Sequence, residues 1–321
     1  MRIVFLWDWK PEYSQSMSWK DGLAAALREL MRRGHDVTVL VPGDEDDIIR
    51  HPYFDIHVSK DVPKLVKELN PNVILHWADM TRPNAKPLFD LGIPQAICFA
   101  GGEPLGENYP FFAHVFVESQ VYKDVFDNAD VPCSIAFGTN TELFKPIRQN
   151  KLIDTLFPAT FALWKRHDLY AVATQGLRSV ACGYIYPDHE QECWEECLNL
   201  GATILPHVSA DVLHYLYAAS RVCVITSNSS GGSQRTVLEA MAMNLPLVVT
   251  DSDKFHYTQG RDDVWQVDPA ASAIRDVVDF IIDNNITVNT RDYILENWSE
   301  FTYCDALEKG LQELCVANTT E

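Results

Sequence analysis

Short apolar, β-branched runs alternate with stretches of helical periodicity from one end of this 321-residue chain to the other. That alternation constrains the fold most, because strand, helix and strand in succession build parallel βαβ units. In the first half, strands are predicted over 3–7, 37–41, 55–58, 73–76, 95–99, 115–118 and 134–137. Between the first two, residues 19–33 place Leu23, Leu27, Leu30 and Met31 at helical spacing. That stretch ends in Arg32, Arg33 and Gly34, cations and a glycine suited to a helix C-terminus. Residues 61–69 and 83–91 read as further helices, each closed by a breaker containing proline.

Residues 138–146 interrupt the series and read as a linker. A second series follows, with strands over 155–161, 179–185, 202–205, 222–226 and 247–250. Its helices are predicted over 168–175, 190–200, 210–219, 233–243, 272–284 and 290–313. A chain of this length exceeds one ordinary core. The expected fold class is therefore α/β, with two doubly wound domains, residues 1–146 and 147–321. Ligands of such sheets bind beyond the carboxyl ends of the strands, which places the expected site in a cleft between the domains.

The net charge of −19 disfavours nucleic acid and anionic lipid as partners. Arg28, Arg32 and Arg33 form a small basic patch that reads as a solvated helix face. No run approaches the ~20 apolar residues of a membrane span. The first residues run directly into a strand pattern without the features of a secretory signal, so a cytoplasmic protein is expected. Of the eight cysteines, Cys193 and Cys197 sit four apart on a predicted helix, and no second pair completes a zinc set. They read as buried free thiols.

Chemistry concentrates between Ser227 and Asp251. A small-residue loop containing Gly231, Gly232 and Ser233 enters a short helix that carries one carboxylate, Glu239, before Pro246 restarts the chain as a strand. The N-terminus of that helix offers unpaired N–H groups and a positive dipole end to phosphate. Glu239, two turns in, is placed to accept hydrogen bonds from sugar hydroxyls, and together these describe a nucleotide-sugar pocket. At other strand ends stand Trp7, Asp8 and Trp9, read either as a stacking platform for an acceptor or as packed loop residues. His76 is a strand-end histidine, and Glu103 follows Gly101 and Gly102, which permit close backbone approach.

Three blocks carry a family likeness: residues 33–41 (Arg-Gly-His-Asp-Val-Thr-Val-Leu-Val), 140–146 (Asn-Thr-Glu-Leu-Phe-Lys-Pro) and 238–249 (Leu-Glu-Ala-Met-Ala-Met-Asn-Leu-Pro-Leu-Val-Val). With Ile294 to Ser299 near the end, they resemble glycosyltransferase family 4, whose members are GT-B-fold retaining enzymes using nucleotide-activated sugars. The resemblance implies two Rossmann-like domains facing across a cleft, the donor held mainly by the C-terminal one and the acceptor by the N-terminal one. It also implies a closing helix, here about 290–313, that packs back on the first domain. Glu239 matches the glutamate that holds the donor ribose, while the partner glutamate eight residues earlier is replaced by Gly231. Lys165 matches the lysine that grips the diphosphate; Thr160 stands where an arginine is expected, and Arg166 or Arg235 can substitute for it. His207 and Val208 lie where the backbone reads the nucleobase.

The resemblance thus implies transfer of a hexose from a UDP- or GDP-sugar to an acceptor hydroxyl, with retention. Neither cofactor nor metal is expected, because Lys165 and the amides of Gly231, Gly232 and Ser233 supply the positive field. Glu103 and Lys165 are the catalytic candidates. The donor would contact Lys165, Arg166, His207, Val208, Gly231, Gly232, Ser233, Arg235 and Glu239. The acceptor, a glycan, lipid or small molecule, would contact Trp7, Asp8, Trp9 and His76. Homo-oligomerisation is compatible with this reading, as is membrane association, although the charge argues against the latter. A sugar-nucleotide-binding or scaffold protein that has lost catalysis is the alternative that Gly231 and Thr160 motivate. A GT-B-fold epimerase-like enzyme is a third.

Overall fold

The computed structural model describes residues 1–7, 22–78, 80, 86–99, 101–185, 190–228, 234–250 and 253–317. They form two units, Met1–Gly138 with Glu300–Glu321, and Thr139–Ser299.

The first unit contains strands β1 (Arg2–Trp7), β2 (Asp36–Pro42), β3 (Asp47–Arg50), β4 (Asp55–Ser59), β5 (Val73–Ala78), β6 (Gln95–Phe99), β7 (His114–Val117) and β8 (Cys133–Ile135). They lie in the order β3-β4-β2-β1-β5-β6-β7-β8, all neighbours parallel except the β3–β4 pair. Helices α1 (Gly22–Arg32), α2 (Val62–Leu69), α3 (Lys86–Phe89) and α4 (Gln120–Asn128) connect them. β1 and β5 are buried almost throughout, as parallel strands covered on both faces must be. The edge strand β3 alternates poorly and exposes Ile48, and the sequence pattern gives it no signal.

A late helix, α11 (Glu300–Ala317), completes this unit by burying Tyr303, Cys304, Leu307 and Leu311 against Leu23, Leu27 and Leu30 of α1. Its approach to β7 depends on Gly310, where a Cβ would stand 2.7 Å from the Phe116 ring. Arg33 then donates to Asp305 and Glu308, both at 2.7 Å, and Glu308 also meets the His35 ring at 2.8 Å. The block at 33–36 therefore serves as the dock of the returning helix.

The second unit contains β9 (Ile153–Pro158), β10 (Ser179–Gly183), β11 (Thr203–Pro206), β12 (Ser220–Ile225), β13 (Leu247–Thr250) and β14 (Trp265–Val267), all parallel, in the order β11-β10-β9-β12-β13-β14. Its helices are α5 (His167–Ala173), α6 (Glu190–Asn199), α7 (Ala210–Ala219), α8 (Arg235–Ala242), α9 (Ala271–Asp283) and α10 (Arg291–Asn297). From β9 the chain moves outward through β10 to β11, then returns to lay β12 on the other side. The strand order thus reverses between β9 and β12, and such a switch point opens a crevice at the carboxyl ends of the two strands.

Two boundaries differ from the sequence reading. The first unit ends at Gly138, not at 146, because Arg291 holds the carbonyls of Thr141 and Phe144 and His214 holds that of Lys145. The expected helix over 290–313 is two helices. Trp298 leaves helical geometry at φ −139°, and its carbonyl accepts from Thr139 N–H at 2.8 Å. Consequently α10 stays with the second unit and only α11 returns to the first. Helix α4 has no sequence counterpart in our reading, although Ser119 caps it, because two aspartates and a lysine mask its apolar positions Tyr122 and Phe126. Among the described residues no helix is long and apolar enough to cross a membrane.

Candidate active site

The crevice at the switch point is built from the segments that leave β9 and β12. After β9 the chain makes a short 3-10 turn, Leu163–Lys165, and Arg166 adopts a left-handed conformation that starts α5. Thr226, just beyond β12, fastens that turn: its hydroxyl donates to the carbonyls of Lys165 and Arg166 at 2.9 and 3.0 Å. Asn228 N–H adds a bond to the Trp164 carbonyl. Lys165 is thereby held inside the crevice, 8% exposed, with its ammonium donating to Gln234 Oε1 at 2.6 Å.

Gln234 is the N-cap of α8, with extended backbone at φ −110° and ψ 108°. The Tyr257 hydroxyl clamps it from behind, accepting from its N–H and donating to its carbonyl. The cation from β9 and the positive end of α8 are therefore fixed side by side, an arrangement that suits a diphosphate. One turn and a half into α8, Glu239 is 5% exposed and accepts from the Tyr217 hydroxyl through Oε2 at 2.9 Å. Burial, together with the charge of Glu239, holds the Tyr217 phenol well above its usual range, so it stays a donor.

The neighbouring strand end is shaped by Gly183. A Cβ there would lie 2.0 Å from the Ala159 carbonyl oxygen, so only glycine lets β9 and β10 run this close past their ends. The Gly183 carbonyl in turn accepts from His207 N–H at 2.8 Å, and the exposed His207 ring, on a left-handed residue, lies 5.3 Å from the Tyr184 ring. Val208 follows it, half-buried.

The other sequence candidates fall in several places. Arg166 is turned onto Asp168, forking its guanidinium over the carboxylate at 2.9 and 2.8 Å. This local pair offsets the charge proposed for phosphate. Arg235 is half-buried on the first turn of α8. Gly231, Gly232 and Ser233, like Asp8 and Trp9, lie outside the described residues. In the first unit, Glu103 is exposed in the turn after β6, behind Gly101 and Gly102 at φ 105° and 92°.

Two acceptor candidates of the first unit prove to be packing residues. Trp7 is buried between Phe5 and Trp77, with ring centroids at 6.2 and 6.1 Å, so its face is covered rather than offered to a ligand. His76 is 1% exposed and hydrogen-bonded to Gln95 Oε1 at 2.7 Å; the Gln95 amide donates onward to the Leu88 carbonyl. Burial depresses the His76 pKa to about 4.

The depressed pKa has a measurable consequence. The unfolded chain takes up the His76 proton near pH 6.5 and the folded one only near 4, so stability falls as pH drops through that window. The loss should amount to about 1.4 kcal/mol per pH unit within it. Urea unfolding between pH 7 and 4 is expected to show a shallower decline in His76→Gln than in the wild type; parallel profiles would remove His76 as the source.

Residues 154–284 match the family described as Glycosyl transferases group 1, and this segment holds every residue of the switch-point crevice. No protein of curated function matches the chain by sequence. Solved structures match over its whole length. Sucrose-phosphate synthase from Thermosynechococcus elongatus superposes with a TM-score of 0.77 at 14% identity, covering 99% of this chain and 100% of its own. HepE of Anabaena, solved in complex with UDP-glucose, gives 0.73 at 13% identity over 98% and 100%. The catalytic domain of starch synthase IV from Arabidopsis thaliana, bound to ADP and acarbose, gives 0.70 at 10% identity over 100% of both.

The fold is GT-B.

In GT-B terms the two units are the two Rossmann-like domains, and the crevice belongs to the second. Sequence reasoning found Lys165 and Glu239 there. It missed Gln234 as the partner of Lys165, Tyr217 as the partner of Glu239, and Tyr257, Thr226 and Gly183 as the supports. Gly183 alone had a legible signal, a glycine inside a predicted strand, where another backbone often approaches closely. The tyrosines sit inside ordinary apolar patterns, and nothing in their spacing marks a hydroxyl with a task.

Proposed function

We propose that this chain is a glycosyltransferase that moves a hexose from a nucleoside-diphosphate sugar, UDP- or GDP-linked, to an acceptor hydroxyl. The observation that carries this is the pairing of a buried ammonium with the N-cap residue of α8 at the switch point, followed by a buried carboxylate in the same helix. Lys165 and the end of α8 meet the diphosphate, and Glu239 accepts from the ribose hydroxyls. His207 and Val208 lie beside the base. The likeness to HepE, solved with UDP-glucose, favours UDP.

In the reaction, the bond from the anomeric carbon to the diphosphate oxygen breaks, and a bond to the acceptor oxygen forms on the same face. The acceptor proton passes to the departing diphosphate, which is the strongest base at that point. Charge develops on the leaving group, so cations and dipoles fixed beforehand stabilise the transition state more than the ground state. Lys165 supplies that field without a metal. Retention, metal independence, a glycan, lipid or small-molecule acceptor and a cytoplasmic location complete the proposal.

A second reading is favoured by Gly231, which leaves no carboxylate where family 4 places one beside the transferred sugar. In that case the chain binds sugar nucleotides without transferring sugar. Incubation with radiolabelled UDP-, GDP- and ADP-sugars, with calorimetry of the free diphosphates, separates the two. The first reading expects release or transfer of label from one donor. Binding with no turnover across the panel would establish the second, and absence of both would overturn the proposal.

A further inference from the structure

Glu239 is a carboxylate of α8 only 5% exposed, and a buried carboxylate keeps its charge only where donors face it. The Tyr217 hydroxyl is such a donor, 2.9 Å from Oε2, and it lies 3.2 Å from the Thr236 carbonyl on the preceding turn of α8. Tyr217 is fully buried on α7, so its phenol reaches Glu239 from a different helix than the one that carries the carboxylate. Its ring is held in turn. Phe144 meets it edge-on with centroids 5.8 Å apart, and the Phe144 carbonyl is fixed by Arg291 at 2.7 Å. A chain of contacts thus runs from α10 through the 139–145 segment to the Glu239 carboxylate.

Resting on the functional reading above, we propose that Tyr217 is a positioning residue: its hydroxyl orients the Glu239 carboxylate toward the donor ribose, with Phe144 as the strut behind the ring. The phenol touches neither sugar nor phosphate. It sets the rotamer and the charge of the group that does. Its contribution should therefore appear in recognition of the ribose hydroxyls and not in recognition of the diphosphate. A phenol that merely filled the core would affect neither selectively.

The test compares UDP with 2′,3′-dideoxy-UDP by calorimetry, using inorganic pyrophosphate as the phosphate-only probe. The wild type should favour UDP over the dideoxy nucleotide. Tyr217→Phe keeps the ring and its packing, and should weaken UDP binding by about tenfold while leaving dideoxy-UDP and pyrophosphate unchanged, about 1.4 kcal/mol of lost ribose recognition. The double variant Tyr217→Phe with Glu239→Gln removes the buried charge together with its donor, and covers the case in which the single variant folds poorly. It should discriminate no less than Glu239→Gln alone, because the two residues act as one unit. Tyr217→Phe that keeps the wild-type preference for UDP would overturn the positioning role and leave the functional reading intact. A wild type that binds UDP and dideoxy-UDP equally would overturn it as well, by removing Glu239 from the ribose. A wild type that binds no nucleoside diphosphate would sink both.

Discussion

Among the described glycines of the second unit, Gly183→Ala is expected to be the most damaging substitution. Its Cβ would stand 2.0 Å from the Ala159 oxygen, 2.6 Å from the Ala159 carbonyl carbon and 3.1 Å from the Thr160 nitrogen. All three are backbone atoms, so no side chain can turn aside to make room. The contact is also bracketed, since Ala159 N–H bonds to the Cys182 carbonyl and Phe161 N–H to that of Tyr184, at 2.9 and 2.7 Å. Relief requires opening at least one of these, and the released segment is the one that leads into the Lys165 turn. We expect a loss of roughly 3 kcal/mol, the upper part of the range for overpacking. For a unit of this size that is a fall in Tm of about 10 °C. Thermal melting followed by circular dichroism measures it, with nucleotide binding lost in parallel. A melting curve superimposable on the wild type would show that the strands can part here at no cost.

Lys165→Ala is expected to have the largest effect on binding. The ammonium is nearly buried and its position is fixed from two sides, by Thr226 on its carbonyl and by Gln234 on its charge. On the function proposed above, a diphosphate would meet a cation already fixed in place, so little reorganisation would be needed when charge develops on it. A hydrogen bond to a charged group contributes about 1.5–3 kcal/mol, which corresponds to a rise in Kd of roughly 10- to 150-fold for UDP or GDP. Turnover should fall further, because the interaction strengthens as the leaving group departs. Calorimetry and initial-rate measurements report the two separately. The fold should survive, since alanine leaves the 3-10 turn and its Thr226 bonds in place. An unchanged Kd would remove Lys165 from the diphosphate site. Lys165→Arg should rescue poorly, since a planar guanidinium does not fit the buried place of a compact ammonium beside the Gln234 amide.

Gly183 closes β10 and Lys165 lies in the turn that follows β9, and the succession of strands and helices was the legible part of this chain. The alternation of apolar runs and helical stretches specified parallel α/β units, since period and length distinguish β9 and β12 from α7 and α8 without tertiary information. It also placed Lys165 after one strand and Glu239 within the helix after another. Boundaries were harder to read. Arg291 and His214 bind the 139–145 segment from more than 60 residues away, and no local pattern announces such contacts. The same holds for the break at Trp298, where pairing with Thr139 overrides a continuous helical pattern.

The candidate site divides along the same line. Arg166 had the right charge at the right position, but Asp168, two residues on, captures it once the left-handed turn brings the two together. His76 and Trp7 had functional residue types at strand ends. The packing of β1, β5 and β6 closes over them instead.

By itself the sequence determined the class of fold, the number of units and the placement of Lys165 after one strand and Glu239 in the helix after another, because these depend on periodicity and on residue chemistry at fixed offsets. Only the tertiary structure decided which charges face the crevice and what holds them there. Gln234 for Lys165, Tyr217 for Glu239 and the glycine contact at Ala159 all join segments distant along the chain, and such pairings are set by how strands and helices pack.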